Sequence, residues 1–164
     1  MRSILAVVSL LAAPVAAKES LGVFDRWGAF SDPSPRRCYA IAQPVQAGGA
    51  QSGPSGRWRP FASIGTWPSR GARNQLHIRL SRERDSRARV TLSVGERRFA
   101  LIAGSAEAWS PDRRTDAAVV AAIRSGRSMS VESLSEDGLP FADVYTLRGA
   151  ATAIDAASLG CARG

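Results

Sequence analysis

The sequence predicts a mainly β, single-domain protein, a β-sandwich or a barrel-like sheet with one mid-chain helix and one C-terminal helix. Two short segments, 75–81 and 90–94, alternate strictly between apolar and polar side chains. A period of two is typical of a half-buried strand. Turn-forming residues separate several further segments of this kind, a pattern typical of sandwiches and barrels.

The N-terminal residues 1–17 predict a secretory signal peptide that is cleaved after about Ala17. Arg2 precedes an apolar stretch from 4 to 13 that only Ser9 interrupts, and small residues follow at the expected cleavage site. A membrane-spanning helix needs about 20 apolar residues, roughly twice this stretch. We therefore expect no transmembrane segment after processing; an uncleaved anchor is the alternative.

Residues 18–164 are expected to form a single basic domain. Removal of 1–17 takes away Arg2 alone, so 21 basic and 14 acidic side chains remain, a net charge of +7. A chain of about 150 residues buries about two thirds of its unfolded surface, enough for one core. Every basic residue of this domain except Lys18 is arginine, which favours bidentate contact with phosphate or carboxylate. The alternative is that the charge serves solubility alone.

The two cysteines, Cys38 and Cys161, predict a disulfide. A secreted chain folds in an oxidising compartment, and two cysteines allow one pairing only. The bond closes a loop of about 120 residues, which the chain-entropy model values at roughly 4–5 kcal/mol. A redox-active pair is usually closer in sequence, as in Cys-X-X-Cys.

The first third of the chain predicts three strands and one loop. A strand over 23–30 ends at the cluster Asp32-Pro33-Ser34-Pro35, and a second strand covers 38–44. Residues 46–56 are rich in Gly, Ser and Pro and predict a flexible loop inside the domain. A third strand covers 59–67 and ends before Pro68.

The middle of the chain predicts a hairpin. The alternating segments 75–81 and 90–94 flank a polar turn region at 82–88, so we expect them to pair with each other. Gly95 and Glu96 then allow a tight turn into a strand over 98–102.

The last third predicts two helices around a second hairpin. Ser110 and Pro111 form an N-cap and first-turn signature, residues 117–123 are apolar, and Gly126 ends the helix. Strands over 129–134 and 141–147 are joined through the turn 135–138, and the alanine-rich segment 150–161 predicts the C-terminal helix.

The inventory of reactive side chains argues against an enzyme. His77 is the only histidine, and nucleophilic catalysis by Ser or Cys needs an imidazole that a third group holds. It lies on the polar side of its strand, so we expect an exposed structural residue. Metal ligands do not cluster in the sequence, and Glu136-Asp137-Gly138 fits a turn better than a calcium loop. We expect no metal and no cofactor.

Two features suggest binding instead. An arginine-rich segment around the predicted hairpin carries a net charge of +4 and supplies seven anion-binding candidates: Arg79, Arg82, Arg84, Arg87, Arg89, Arg97 and Arg98. Such a patch suits lipopolysaccharide phosphates, an acidic polymer or an acidic protein, while nucleic acid is not expected outside the cytosol. The alternative is a solvated face that protects a sheet edge. Four tryptophans form either a sugar or peptide platform or core anchors: Trp27, Trp58, Trp67 and Trp109.

Several short segments between about 24 and 161 resemble the invasion-associated locus B family. These are Trp27 in an early strand, Arg37-Cys38-Tyr39-Ala40-Ile41-Ala42-Gln43, Ile123-Arg124-Ser125-Gly126-Arg127-Ser128-Met129-Ser130-Val131, and Tyr145-Thr146-Leu147-Arg148-Gly149 leading into 150–157. The resemblance implies export by a Gram-negative bacterium and brings no catalytic residues. Family members often carry a further cysteine close behind the early tryptophan, whereas here none precedes Cys38.

Two hypotheses follow for the function. The first is a non-enzymatic protein of the periplasm or cell envelope that binds a protein partner or an anionic envelope component such as lipopolysaccharide. The alternative is a cryptic carboxylate-dependent hydrolase of envelope polysaccharide, which requires two acids about 5–10 Å apart in one cavity.

Overall fold

The computed structural model describes residues 17–48 and 59–162. The predicted signal peptide up to residue 16, most of the predicted loop 46–56, and Trp58 lie outside the described residues. Within these two ranges, no helix is long and apolar enough to cross a membrane.

The described strands form one antiparallel sheet of ten strands, in the order β1-β2-β3-β4-β5-β8-β7-β6-β9-β10. Their bounds are β1 Glu19–Phe24, β2 Trp27–Pro33, β3 Arg36–Ala42, β4 Phe61–Trp67, β5 Ala72–Arg79, β6 Val90–Val94, β7 Arg97–Ala103, β8 Glu107–Trp109, β9 Ser128–Leu134 and β10 Pro140–Thr146. The mainly β class is confirmed.

Both predicted helices are present as α1 (Arg113–Ser125) and α2 (Ala150–Ala162), and a single 3-10 turn covers Pro68–Arg70. Helix α2 packs on β1, β2 and β3, and α1 packs chiefly on β5. The core lies between these helices and the inner face of the sheet, and its largest fully buried side chains include Trp27, Tyr145, Leu76, Ile78 and Ile154. One mid-chain and one C-terminal helix are therefore confirmed.

The single sheet curls, so that β10 returns to the segment that follows β3. The Val144 carbonyl accepts a hydrogen bond of 2.7 Å from the N–H of Val45, and the Val144 N–H donates to Gln46 at 2.8 Å. The carboxylate of Asp143 accepts hydrogen bonds from the N–H groups of Gly48 (3.0 Å) and Ser81 (2.9 Å). Because Asp143 is fully buried, these bonds join three separate chain segments inside the curled sheet.

The disulfide prediction is confirmed: Cys38 of β3 is bonded to Cys161 in the last turn of α2, across a sequence separation of 123. Both cysteines are buried. The guanidinium of Arg36 donates to the Cys161 carbonyl at 3.1 Å beside the bond. The covalent link therefore fixes the C-terminal helix against the sheet.

The predicted first strand is in fact two strands. Residues 23–30 include a tight turn at Asp25 and Arg26, where Asp25 has a φ of 58° and lets β1 reverse into β2. Asp tolerates this left-handed conformation better than most residues do. The aromatic residues on either side concealed the turn in the sequence.

The predicted hairpin between 75–81 and 90–94 is wrong. Strand β5 pairs with β4 and β8, whereas β6 pairs with β7 and β9. Alternation shows that each segment has one buried face, but it does not specify the neighbouring strand. The short strand β8, which the sequence analysis missed, lies between β5 and β7.

The start of α1 also differs from the prediction. Asp112, not Ser110, is the N-cap residue, and its Oδ1 accepts a 2.7 Å hydrogen bond from the N–H of Thr115. Gly126 ends the helix as predicted. The predicted pairing of the last two strands is confirmed by the register of β9 and β10.

Candidate functional site

The seven candidate arginines do not form one patch. Arg97 and Arg98 begin β7 at its turn with β6, whereas Arg87 and Arg89 precede the other end of β6. Five strand residues separate these groups, a distance of about 16 Å. The structure thus divides these four arginines between two ends of the β6–β7 hairpin, while Arg79 lies in β5, which β8 separates from β7.

Arg84 is a structural residue. Its guanidinium donates hydrogen bonds to four backbone carbonyls, those of Gly104 (2.8 Å), Asp85 (2.7 Å), Ala88 (2.7 Å) and Ala103 (3.0 Å). These bonds fasten the connection between β5 and β6 to the turn that follows β7. Because four of its five N–H donors are already used, Arg84 contributes little to binding an external anion.

Arg79 belongs to an aromatic and charged cluster on the outer face of the sheet. Glu107 of β8 contacts both the guanidinium of Arg79 and the imidazole of His77. The His77 ring stacks on Trp109 with centroids 5.4 Å apart and meets the edge of Phe61 at 5.2 Å. His77 is therefore half-buried rather than exposed as predicted, because rings from β4 and β8 flank it.

Glu107 is the residue of this cluster that sequence reasoning missed. Burial raises the pKa of its carboxyl, but the hydrogen bonds and charges of Arg79 and His77 outweigh it and hold the pKa below 4.5. Glu107 thus orients the imidazole of His77. The hydroxyl of the nearby Ser63 donates to the backbone carbonyl of His77, at 3.4 Å. Among the residues that the structure describes, the cluster thus has an oriented imidazole but no serine hydroxyl hydrogen-bonded to it.

An exposed group of arginines, here called the arginine rim, lies at one end of the sheet and comprises Arg97, Arg98 and Arg127. Val94 of β6 pairs with Met129 of β9, so the segment before β9 lies beside the β6–β7 turn. None of the three arginines forms an ion pair with a residue in 17–48 or 59–162. The rim therefore carries positive charge that no ion pair among these residues neutralises, although the exposed Glu96 lies in the same turn.

A second cationic surface, here called the helix groove, lies between α1 and the start of β5. It has a volume of about 540 Å³; Arg113 and Arg124 lie at its two ends, Ala117, Val120 and Ala121 form its floor, and Arg73 lies on the opposite wall. It continues past Asn74 into a cavity of about 260 Å³ that reaches Ser158 of α2. Arg73 and Arg113 were not among the predicted binding residues.

The charges in the helix groove are unevenly compensated. Nη2 of Arg124 lies 2.5 Å from Oδ1 of Asp155 in α2, and this contact lowers the pKa of the Asp155 carboxyl. Within the described ranges, Arg73 and Arg113 have no such acidic partner. The arginines without an ion pair among these residues thus lie near the start of α1, where the carboxylate of Asp112 already caps the helix.

The three tryptophans that the structure describes do not assemble into one exposed platform. Trp27 is fully buried and donates from Nε1 to the Thr146 carbonyl at 2.9 Å. The Trp67 ring lies over Gly65, where an added Cβ would come within 2.6 Å of it. The three described tryptophans thus occupy different environments.

Two carboxylates line one shallow cavity of about 390 Å³, those of Asp85 and Glu136. Oδ1 of Asp85 accepts a 2.8 Å hydrogen bond from the N–H of Arg87, and Glu136 is exposed. Neither has the apolar surroundings that a glycosidase gives its general acid. In the part of the chain that the structure describes, no three His, Cys, Asp or Glu residues come together to hold a metal.

The fold defines the class of protein: one curled antiparallel sheet, with helices on its inner face and its first strands tied to the C-terminal helix by a disulfide. No protein-family model matches the sequence, and no curated protein matches it. Among solved structures, invasion associated protein B from Bartonella henselae is similar in fold, with a TM-score of 0.60 and 15% identity over 87% of this chain and 99% of that chain. This likeness confirms, for the fold, the resemblance that the sequence segments indicated.

Proposed function

We propose that this chain is a non-enzymatic, exported protein of the cell envelope that binds an anionic envelope component through exposed arginines. The observation that supports this proposal most is the arginine rim, where Arg97, Arg98 and Arg127 are exposed and form no ion pair with any residue that the structure describes. Planar guanidinium groups suit phosphate, which they contact bidentately. Lipopolysaccharide phosphates are the ligand class that fits these groups in that compartment.

Two further observations support export. The N-terminal residues have the pattern of a cleavable signal peptide, and a structural disulfide such as Cys38–Cys161 is typical of an oxidising compartment such as the periplasm. The likeness to invasion associated protein B concerns the fold alone. A role in invasion is not part of this proposal, because a shared fold does not carry a shared activity.

The test is a vesicle-binding measurement with the mature chain, residues 18–164. Binding to vesicles that contain lipopolysaccharide should exceed binding to phosphatidylcholine vesicles and should weaken as salt is raised, since salt screens exposed charges. The double variant Arg97→Ser/Arg98→Ser should weaken binding.

The matched control is Arg87→Ser/Arg89→Ser, which removes the same charge at the other end of β6. Equal weakening by both variants would show that net charge, not the rim, drives association. Binding that neither salt nor these substitutions alter would overturn the proposal and favour a protein partner recognised by other means.

A further inference from the structure

We infer that the helix groove binds one acyl chain of an envelope lipid together with the phosphate group next to it. This inference rests on the anionic envelope ligand proposed above, but it places the ligand at a different surface from the arginine rim. The groove combines an apolar floor with positive charge at one end.

The floor of the groove is a continuous stripe of α1. Ala117, Val120 and Ala121 recur at helical spacing, so their side chains lie on one face. Arg113 and Arg124 bound this stripe eleven positions apart, about 16 Å along the helix axis. Such a length suits an extended chain of apolar groups, and the small alanines let it approach the helix closely.

The charge distribution gives the ligand a direction. Arg124 is neutralised by Asp155, whereas Arg113 and Arg73 have no acidic partner among the described residues. An anionic head therefore belongs between Arg73 and Arg113, and the chain extends toward Arg124. A second anionic group at the other end of the ligand would meet Arg124, whose charge Asp155 already neutralises.

The groove is held in shape independently of its arginines. Oδ1 of Asp116, one turn from Arg113, accepts a 2.9 Å hydrogen bond from the backbone N–H of Leu76, which fixes α1 against β5. The Ser158 hydroxyl of α2 faces Oδ1 of Asn74 at 3.5 Å on the opposite wall. Exposed groove residues can therefore be changed without removing the contacts that hold the two walls in position.

The experiment titrates the mature chain with three soluble probes: decyl phosphate below its micelle concentration, inorganic phosphate, and decanol. Isothermal calorimetry should detect decyl phosphate binding, with inorganic phosphate and decanol at least about tenfold weaker, because each supplies only half of the interactions. The variant Arg73→Ser/Arg113→Ser should weaken decyl phosphate binding about tenfold or more. Arg87→Ser/Arg89→Ser removes the same charge outside both the groove and the rim, so it is the matched control and should leave decyl phosphate binding unchanged.

A second variant tests the floor without changing charge. Ala121→Leu places a larger side chain on an exposed floor position and should abolish decyl phosphate binding while the melting temperature stays near that of the wild type. Equal affinity for inorganic phosphate and decyl phosphate would reduce the groove to a simple anion site and overturn the inference. Loss of binding in the rim variant with none in Arg73→Ser/Arg113→Ser would also overturn it.

The two proposals fail in different ways. If lipopolysaccharide vesicles bind with salt sensitivity but decyl phosphate does not bind, the groove inference fails and the proposed function stands. If decyl phosphate binds in the groove while vesicles do not, the groove is a lipid site and the proposed surface interaction fails.

Discussion

Asp116 in α1 accepts a hydrogen bond of 2.9 Å from the backbone N–H of Leu76 in β5. Strand β8 pairs with β5 only as far as His77, so this amide lies just beyond the end of β8. The carboxylate takes the place of the missing strand carbonyl. A buried side chain of a helix thus completes the sheet and positions one wall of the helix groove.

Asp116→Ala should destabilise the protein by about 1–3 kcal/mol, because it leaves a buried N–H without an acceptor. Urea unfolding monitored by tryptophan fluorescence measures the change. Asp155→Ala breaks the exposed ion pair with Arg124 and should cost at most about 1 kcal/mol, since water and salt screen that pair. Equal losses of unfolding free energy in the two variants would contradict the role of Asp116 in holding α1 against β5.

Arg84→Ser should lower the unfolding free energy by about 2 kcal/mol, because the guanidinium satisfies four backbone carbonyls and charged hydrogen bonds are the stronger ones. Arg87→Ser, three positions away and exposed, should change it by less than about 0.5 kcal/mol. Thermal unfolding of the two variants separates a structural arginine from a solvated one. An Arg84→Ser variant with unchanged unfolding free energy would refute the structural role of Arg84.

Local patterns in the sequence predicted much of the fold. The alternation at 75–81 and 90–94, the glycine after α1 and the alanine-rich end marked elements that the structure contains. The wrong hairpin arose because period-two patterning specifies a buried face and not a partner. Strand β8 is three residues long, too short to show periodicity, and its absence from the prediction made β5 and β6 look like neighbours.

The candidate site was less predictable for the same reason. The arginines at 79–98 are close in sequence, but β6 separates them in space, while Arg127 joins the rim through the pairing of β6 with β9. Arg73 and Arg113 line one groove because α1 packs on β5. Contacts between distant segments depend on topology, which a single sequence did not specify.

Gly126→Ala should destabilise the protein by about 1–3 kcal/mol through overpacking. An added Cβ would lie 2.7 Å from Cγ1 of Val94 and 2.9 Å from Cδ1 of Leu147, although φ at this glycine is an ordinary −80°. Close packing, not backbone freedom, requires the glycine. Gly104→Ala is the control, since its Cβ would meet only the Glu107 carbonyl, at 4.0 Å. If neither variant changed the unfolding free energy, the packing argument would fail.

Acidification from neutral pH should first stabilise the protein. Burial raises the pKa of Asp143 above 3.8, despite its backbone hydrogen bonds, and burial likewise raises the pKa of Asp116. The native state then keeps protons that the unfolded chain loses, so the unfolding free energy falls as pH rises through the raised native pKa values. Glu107 has a lowered pKa and therefore opposes the gain below about 4.5.

Urea unfolding from neutral pH down to 4.5 checks this dependence. Asp143→Asn should be less stable throughout, because an amide cannot accept from both Gly48 and Ser81, but its stability should vary less with pH. The assignment of this pH dependence to the raised pKa values of Asp143 and Asp116 would be contradicted by a wild-type stability that declines steadily on acidification over this range. It would also be contradicted if the stability of Asp143→Asn varied with pH as steeply as that of the wild type.

Reduction of the disulfide should destabilise the native state by about 4–5 kcal/mol, because the unfolded chain then recovers the entropy of a large loop. Denaturant unfolding with and without reductant measures the loss, and Cys38→Ala/Cys161→Ala should reproduce it while no longer responding to reductant. The bond holds α2 against β1, β2 and β3, so amide hydrogen exchange should accelerate in α2 before the strands. If the strands and α2 lost protection together after reduction, the bond would be stabilising the whole domain and not the docking of its C-terminal helix.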